Sequence, residues 1–158
     1  MKRKVCVLAI IIIFTLCFAA MASAQAPPPS SKGQTLYLPL VSYVYLGPKN
    51  KPYELTKTFC FRNRDRKQSL TLLSIEYFNG SGQNLGNVLD KSRIISPLAS
   101  LQMPVASPKK DQAKEGSPCL IVRWKADNAV TTPLVQCIMI GATGQQGISF
   151  STTATPIP

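Results

Sequence analysis

The sequence predicts an all-β protein, a single antiparallel β-sandwich of immunoglobulin type with about seven or eight strands. Three observations carry this expectation. Apolar residues recur with a period of two, Gly, Pro, Asn and Ser punctuate the chain at near-regular intervals, and no segment beyond residue 26 has the 3.6-residue period of an amphipathic helix.

The strands can be justified in order. Leu36, Leu38 and Leu40 alternate with Tyr37, Pro39 and Val41, and Tyr43 and Tyr45 continue the second set, so both faces of the first strand are apolar. Pro39 has no N–H to give a ladder, which puts it at a sheet edge or at a bulge where the strand changes sheets. From Tyr53 to Asn63 one face carries Leu55, Phe59 and Phe61, with Lys57 the exception among them. Ser69 to Phe78 follows and closes at Asn79-Gly80-Ser81-Gly82. Arg93 to Val105 reads as a strand unit interrupted by Pro97, and Leu120, Val122 and Trp124 alternate with Ile121 and Arg123. Pro133 to Ile140 and Ile148 to Thr152 complete the series, separated by Gly141, Gly144 and Gly147.

The ends have a different character. Residues 1–26 read as a secretory signal: Lys2, Arg3 and Lys4, an apolar run from Val5 to Ala22, and small residues suited to cleavage after Ala24 or Ala26. This implies a periplasmic or secreted protein, the alternative being a domain anchored by an uncleaved helix. Pro27 to Lys32 would be a stiff Pro/Ser linker, residues 33–151 the sandwich, and residues 152–158 a Thr/Pro tail.

The formal net charge of +11 falls by the three cations of the signal to +8. A basic exported domain suits an envelope protein or an anionic polymer as partner, and points to no specific nucleic acid; contact with the membrane is expected only through an uncleaved signal. Cys60, Cys119 and Cys137 remain after cleavage, an odd number that allows one internal disulfide; Cys119 with Cys137 is favoured because the strands that hold them flank a short connection.

The chain contains no histidine, which excludes Ser-His-Asp and Cys-His catalysis and nearly all zinc and haem sites. No catalytic set, metal site or cofactor is expected. Three features carry chemical interest. Arg62, Arg64, Arg66 and Lys67 form the densest cationic cluster and could bind an anion, although a solvated hairpin turn whose charges keep an edge soluble is the stronger account. Gly141, Gly144, Gln145, Gln146 and Gly147 suggest a binding loop, but the following strand offers no helix N-terminus to a phosphate, and a tight turn is the stronger account. Lys57, placed on an apolar face, would be desolvated if buried and is the best pointer to a hydrolase or transferase working without histidine. Lys109, Lys110 and Lys114 share a surface loop with Asp111 and Glu115, and mixed signs argue against an anion site there.

Five segments resemble one family: Gly33-Gln34-Thr35-Leu36-Tyr37-Leu38-Pro39 with Ser42 and Tyr45; Phe61-Arg62-Asn63 with Asp65; Pro97-Leu98-Ala99-Ser100; Val122-Arg123-Trp124-Lys125-Ala126; and Met139-Ile140-Gly141 with Gly144-Gln145-Gln146-Gly147-Ile148-Ser149-Phe150. The last is the most specific, and together they are similar to the bacterial family called domain of unknown function 3124. The resemblance implies an exported protein and assigns no activity or catalytic residue. Two places depart from the family pattern, Lys57 where an apolar residue is usual and Glu115 to Cys119 where a Gly-rich approach is usual, which makes both features of this chain. The expectation is therefore a non-enzymatic binding or structural module of the envelope, with an enzyme or an anion-binding module as alternatives.

Overall fold

A computed structural model describes residues 29–107, 117–143 and 146–158. The signal segment and most of the loop holding Lys109, Lys110 and Lys114 lie outside them, as do Gly144 and Gln145. The described residues form twelve strands and no helix: β1 (Ser30–Pro39), β2 (Tyr43–Leu46), β3 (Lys51–Glu54), β4 (Thr56–Arg62), β5 (Leu70–Phe78), β6 (Asn84–Asn87), β7 (Arg93–Ile95), β8 (Ser100–Val105), β9 (Cys119–Thr131), β10 (Leu134–Thr143), β11 (Gln146–Thr153) and β12 (Thr155–Ile157).

All pairings are antiparallel. One sheet has the order β12-β1-β9-β5-β6 with β7 also on β5; the other has the order β11-β10-β4-β8, and β2 and β3 make a separate two-stranded ribbon. The sandwich is as the sequence predicts, with more strands than expected. The additional ones are short: Arg93 to Val105 divides at Pro97 into β7 and β8, which belong to opposite sheets, and β2, β3 and β6 have four residues each.

The core lies between the two large sheets. Leu36, Leu38, Leu72, Ile75, Leu120 and Trp124 come from the first, and Phe59, Phe61, Val135 and Met139 from the second, all buried. Each such side chain contributes on the order of 2 kcal/mol by leaving water. The alternation in β4 is kept intact, and Lys57 shares the inward face with Leu55, Phe59 and Phe61. In β5 the phase shifts at an irregularity against β9 between Leu72 and Ser74, which turns Leu73 outward and keeps Leu70, Leu72, Ile75 and Tyr77 inside.

Pro39 ends β1. The neighbouring β12 pairs only with Thr35, Leu36 and Tyr37, so Pro39 lies past that ladder, and its carbonyl accepts instead from the Thr152 hydroxyl at 2.7 Å. At the other end of β1, Gly33 is dictated by packing: a Cβ there would sit 2.9 Å from the Trp124 carbonyl oxygen. Residues 152–158, expected as a tail, are structured: β11 runs to Thr153, the chain changes sheets at Ala154, and β12 closes on β1. The linker is likewise shorter than expected, because β1 begins at Ser30. Pro156 in β12 and Pro104 in β8 lie in strands at sheet edges, where a missing donor discourages further pairing.

Candidate functional site

The sandwich has two ends of opposite character. At one end, where β4 leads to β5, β7 to β8 and β9 to β10, the sequence Asn63-Arg64-Asp65 ties the connections together. Asn63 is buried and its Nδ2 donates to the carbonyls of Gln68 at 2.8 Å, Ile95 at 3.1 Å and Ser96 at 3.0 Å. Its Oδ1 accepts from Asp65 N at 2.9 Å. The Asp65 carboxylate accepts the backbone N–H groups of Lys67, Gln68 and Thr131, and these bonds hold its pKa below the ordinary range for aspartate. Arg64 is spent on the same task, its Nε donating to the Thr132 carbonyl at 3.0 Å. Within the cluster of Arg62, Arg64, Arg66 and Lys67, one cation is thus committed to the neighbouring turn, a carboxylate sits in its midst, and the remaining three are exposed.

Of the glycine segment, Gly141 pairs with Ile148, Ala142 with Gly147 and Thr143 with Gln146, which joins β10 to β11, while Gly144 and Gln145 lie outside the described residues. Gly141 has a packing role: a Cβ there would meet Tyr53 Cε1 at 2.5 Å and Leu55 Cδ2 at 2.8 Å, so the missing side chain lets the ribbon rest on β10.

The Cys119–Cys137 bridge is not formed. All three described cysteines are free, and β9 and β10, although consecutive, belong to opposite sheets. A disulfide needs its two Cα atoms close and its Cβ vectors converging, which consecutive position in the chain does not supply. Cys137 is fully buried and its thiol is pushed up to about 11 by burial, with Lys57 opposing, so it is an inert thiol at neutral pH.

Lys57 lies at the other end of the sandwich. A cleft of about 1050 Å³ opens there, with the β2–β3 ribbon, the start of β4, the end of β8 and Tyr77 of β5 around it. Its walls are largely apolar or aromatic: Tyr43 and Tyr45, whose rings meet edge to face with centroids 5.5 Å apart, and Pro52, Leu55, Pro104 and Val105. The root of the ribbon is closed by Leu55 N donating to the Ser42 carbonyl at 2.8 Å, which places the Ser42 hydroxyl over β4.

The Lys57 side chain is inward, and the residue is only 8% exposed. Its Nζ donates to the Leu55 carbonyl at 3.4 Å and to the Ser42 hydroxyl at 3.5 Å, two long bonds to neutral acceptors. Among the described residues Arg123 and Glu76 form the one ion pair, so none of the described carboxylates lies within 4.0 Å of Lys57. Burial pulls its pKa below the ordinary lysine range, and the Glu54 carboxylate on the cleft wall partly restores it. Tyr77 stands beside Ser42; burial raises its phenol pKa, and a hydrogen bond with Ser42 opposes the rise.

Lysine beside serine is also the makings of a nucleophile and its base. Here the lysine acts as donor to a nearly buried serine at 3.5 Å, and an ammonium in that position has no lone pair to accept the hydroxyl proton. The arrangement suits holding an anion better than activating an alcohol. Sequence reading isolates Lys57 through its broken alternation, but Ser42, Glu54 and Tyr77 carry no such mark, and only folding brings them to the same cleft.

No curated protein matches the chain. Among solved structures, a Thermotoga maritima protein, Thermotoga maritima 1070, is similar at 13% identity over 77% of this chain and 92% of that chain, with a TM-score of 0.44. Residues 33–157 match the family described as protein of unknown function DUF3124, and the chain belongs to that family.

Proposed function

We propose that the protein is an exported, non-enzymatic binding module of the bacterial envelope, and that it binds its ligand in the cleft at the ribbon end of the sandwich. The carrying observation is Lys57: a cation withdrawn from water on the floor of an apolar cleft of about 1050 Å³, with no carboxylate of the described residues in contact. Burying a charge without a partner costs several kcal/mol, so a fold that keeps one at a cleft floor favours a purpose outside folding. Apolar walls with a few convergent polar groups are the general make-up of small-molecule sites. The N-terminal signal pattern supports export, and the fully bonded turn around Asp65 favours a structural role for the Arg62–Lys67 segment.

A polarity-sensitive fluorophore, 8-anilinonaphthalene-1-sulfonate, tests the site with the purified protein under native conditions. One saturable site per chain is expected, blocked by Val105→Arg, which fills the cleft from β8. Absence of saturable binding, or binding indifferent to Val105→Arg, overturns the assignment.

A further inference from the structure

Resting on the reading of the cleft as a binding site, we infer that its ligand is a monocarboxylate on an apolar or aromatic body, with the carboxylate seated against Lys57 Nζ and the Ser42 hydroxyl. The argument starts from charge. Of the described residues around the cleft Lys57 is the single cation, and it is 8% exposed while its two hydrogen bonds, at 3.4 and 3.5 Å, are long. An ammonium has three N–H groups and no acceptor, so a carboxylate oxygen arriving from the cleft supplies the charge-assisted bond that the neutral Leu55 carbonyl and Ser42 hydroxyl do not.

The same count restricts the anion. A phosphate or polyphosphate carries more negative charge than one ammonium balances, and anion sites of that kind draw on several cations or converging backbone N–H groups. Glu54 on the wall adds a negative charge of its own, which penalises a dianion further. A single carboxylate leaves Lys57 balanced. The body of the ligand follows from the walls: the edge-to-face pair Tyr43 and Tyr45 on one side and Pro104 and Val105 on the other offer ring faces and aliphatic surface. Glu54 attracts the same ammonium from beyond ion-pair contact, so it weakens carboxylate binding.

Three probes of one shape and different head group separate the possibilities: 2-naphthoate, 2-naphthalenemethanol and 2-naphthylmethylamine, titrated calorimetrically into the purified protein. The inference expects 2-naphthoate to bind about tenfold or more tightly than either of the others. Lys57→Met abolishes that preference, so that the carboxylate no longer binds more tightly than the alcohol, and Glu54→Gln tightens the carboxylate severalfold in the parent background. Tighter binding of the amine, equal binding of all three, or a carboxylate preference that survives Lys57→Met overturns the inference and leaves the cleft as a binding site. Binding of none of the three overturns it too, and if the fluorophore also fails to bind, the proposed function falls with it. The head-group comparison on the unaltered protein stands whether or not the variants fold.

Discussion

The two ends of the sandwich are built from similar residues and put to opposite uses. At the Asn63 end, donors and acceptors close on each other: one buried asparagine serves three carbonyls, one aspartate serves three N–H groups, and an arginine spans to the next turn. At the Lys57 end, a buried cation is left with long bonds to neutral partners beside an open cleft. Position in the sequence hardly distinguishes them, since Lys57 and Asn63 are six residues apart on one strand and its exit. The difference is whether polar groups are satisfied by the chain itself. The satisfied end joins strands of opposite sheets and acts as a clasp, and the unsatisfied end has capacity left for something outside the protein.

Substitutions sharpen this contrast. The largest loss is expected from Asn63→Ala, which removes the donor from three carbonyls at once and should lower stability by about 3 kcal/mol in a urea titration followed through the single tryptophan, Trp124. Gly141→Ala disturbs the cleft end by crowding Tyr53 and Leu55, side chains that can yield in part; the same titration should register about 2 kcal/mol, with weakened fluorophore binding as the ribbon shifts. Asp65→Asn should have a smaller effect at neutral pH and a diagnostic one in acid. The lowered pKa of Asp65 means the folded state prefers the carboxylate, so its contribution is present above the unfolded-state value near 3.8 and is lost as pH falls through the folded value. Stability of the Asp65→Asn variant should therefore fall less on acidification than that of the parent. Arg66→Ser with Lys67→Ser should change stability by no more than about 0.5 kcal/mol and leave cleft binding untouched, since both side chains are solvent-exposed. A loss of ligand binding in this double variant would move the site to the wrong end.

Much of the fold was legible because a half-buried strand writes its environment as alternation. Leu55, Phe59 and Phe61, or Leu120, Val122 and Trp124, name the core face directly, and the structure keeps these sets inside. What alternation leaves out is partnership. Arg93 to Val105 looks continuous, yet its halves join opposite sheets, a division that rests on Pro97 and on Asn63 gripping the Ile95 and Ser96 carbonyls from 32 and 33 positions away. The terminal segment TTATPIP has the composition of a tail, and becomes a strand only because β1 offers an unpaired edge. The same limit explains the cysteines, since β9 and β10 are neighbours in the chain and not in a sheet. At the site, Lys57 was visible as a charge among hydrophobes. Ser42 and Tyr77 were not, because a serine before a strand and a tyrosine inside one are ordinary until the tertiary fold sets them around the cleft that holds an ammonium.

The account holds that Lys57 is kept at the cleft floor at some expense to folding. Comparing Lys57→Met with the parent by urea titration tests this directly, since methionine retains most of the volume and removes the charge. The account predicts that the variant is more stable by about 1 kcal/mol or more, as replacement of buried ionic groups by apolar ones of similar size tends to be. A variant less stable than the parent by a similar margin would show that the lysine serves the fold, and would contradict the assignment of this cleft.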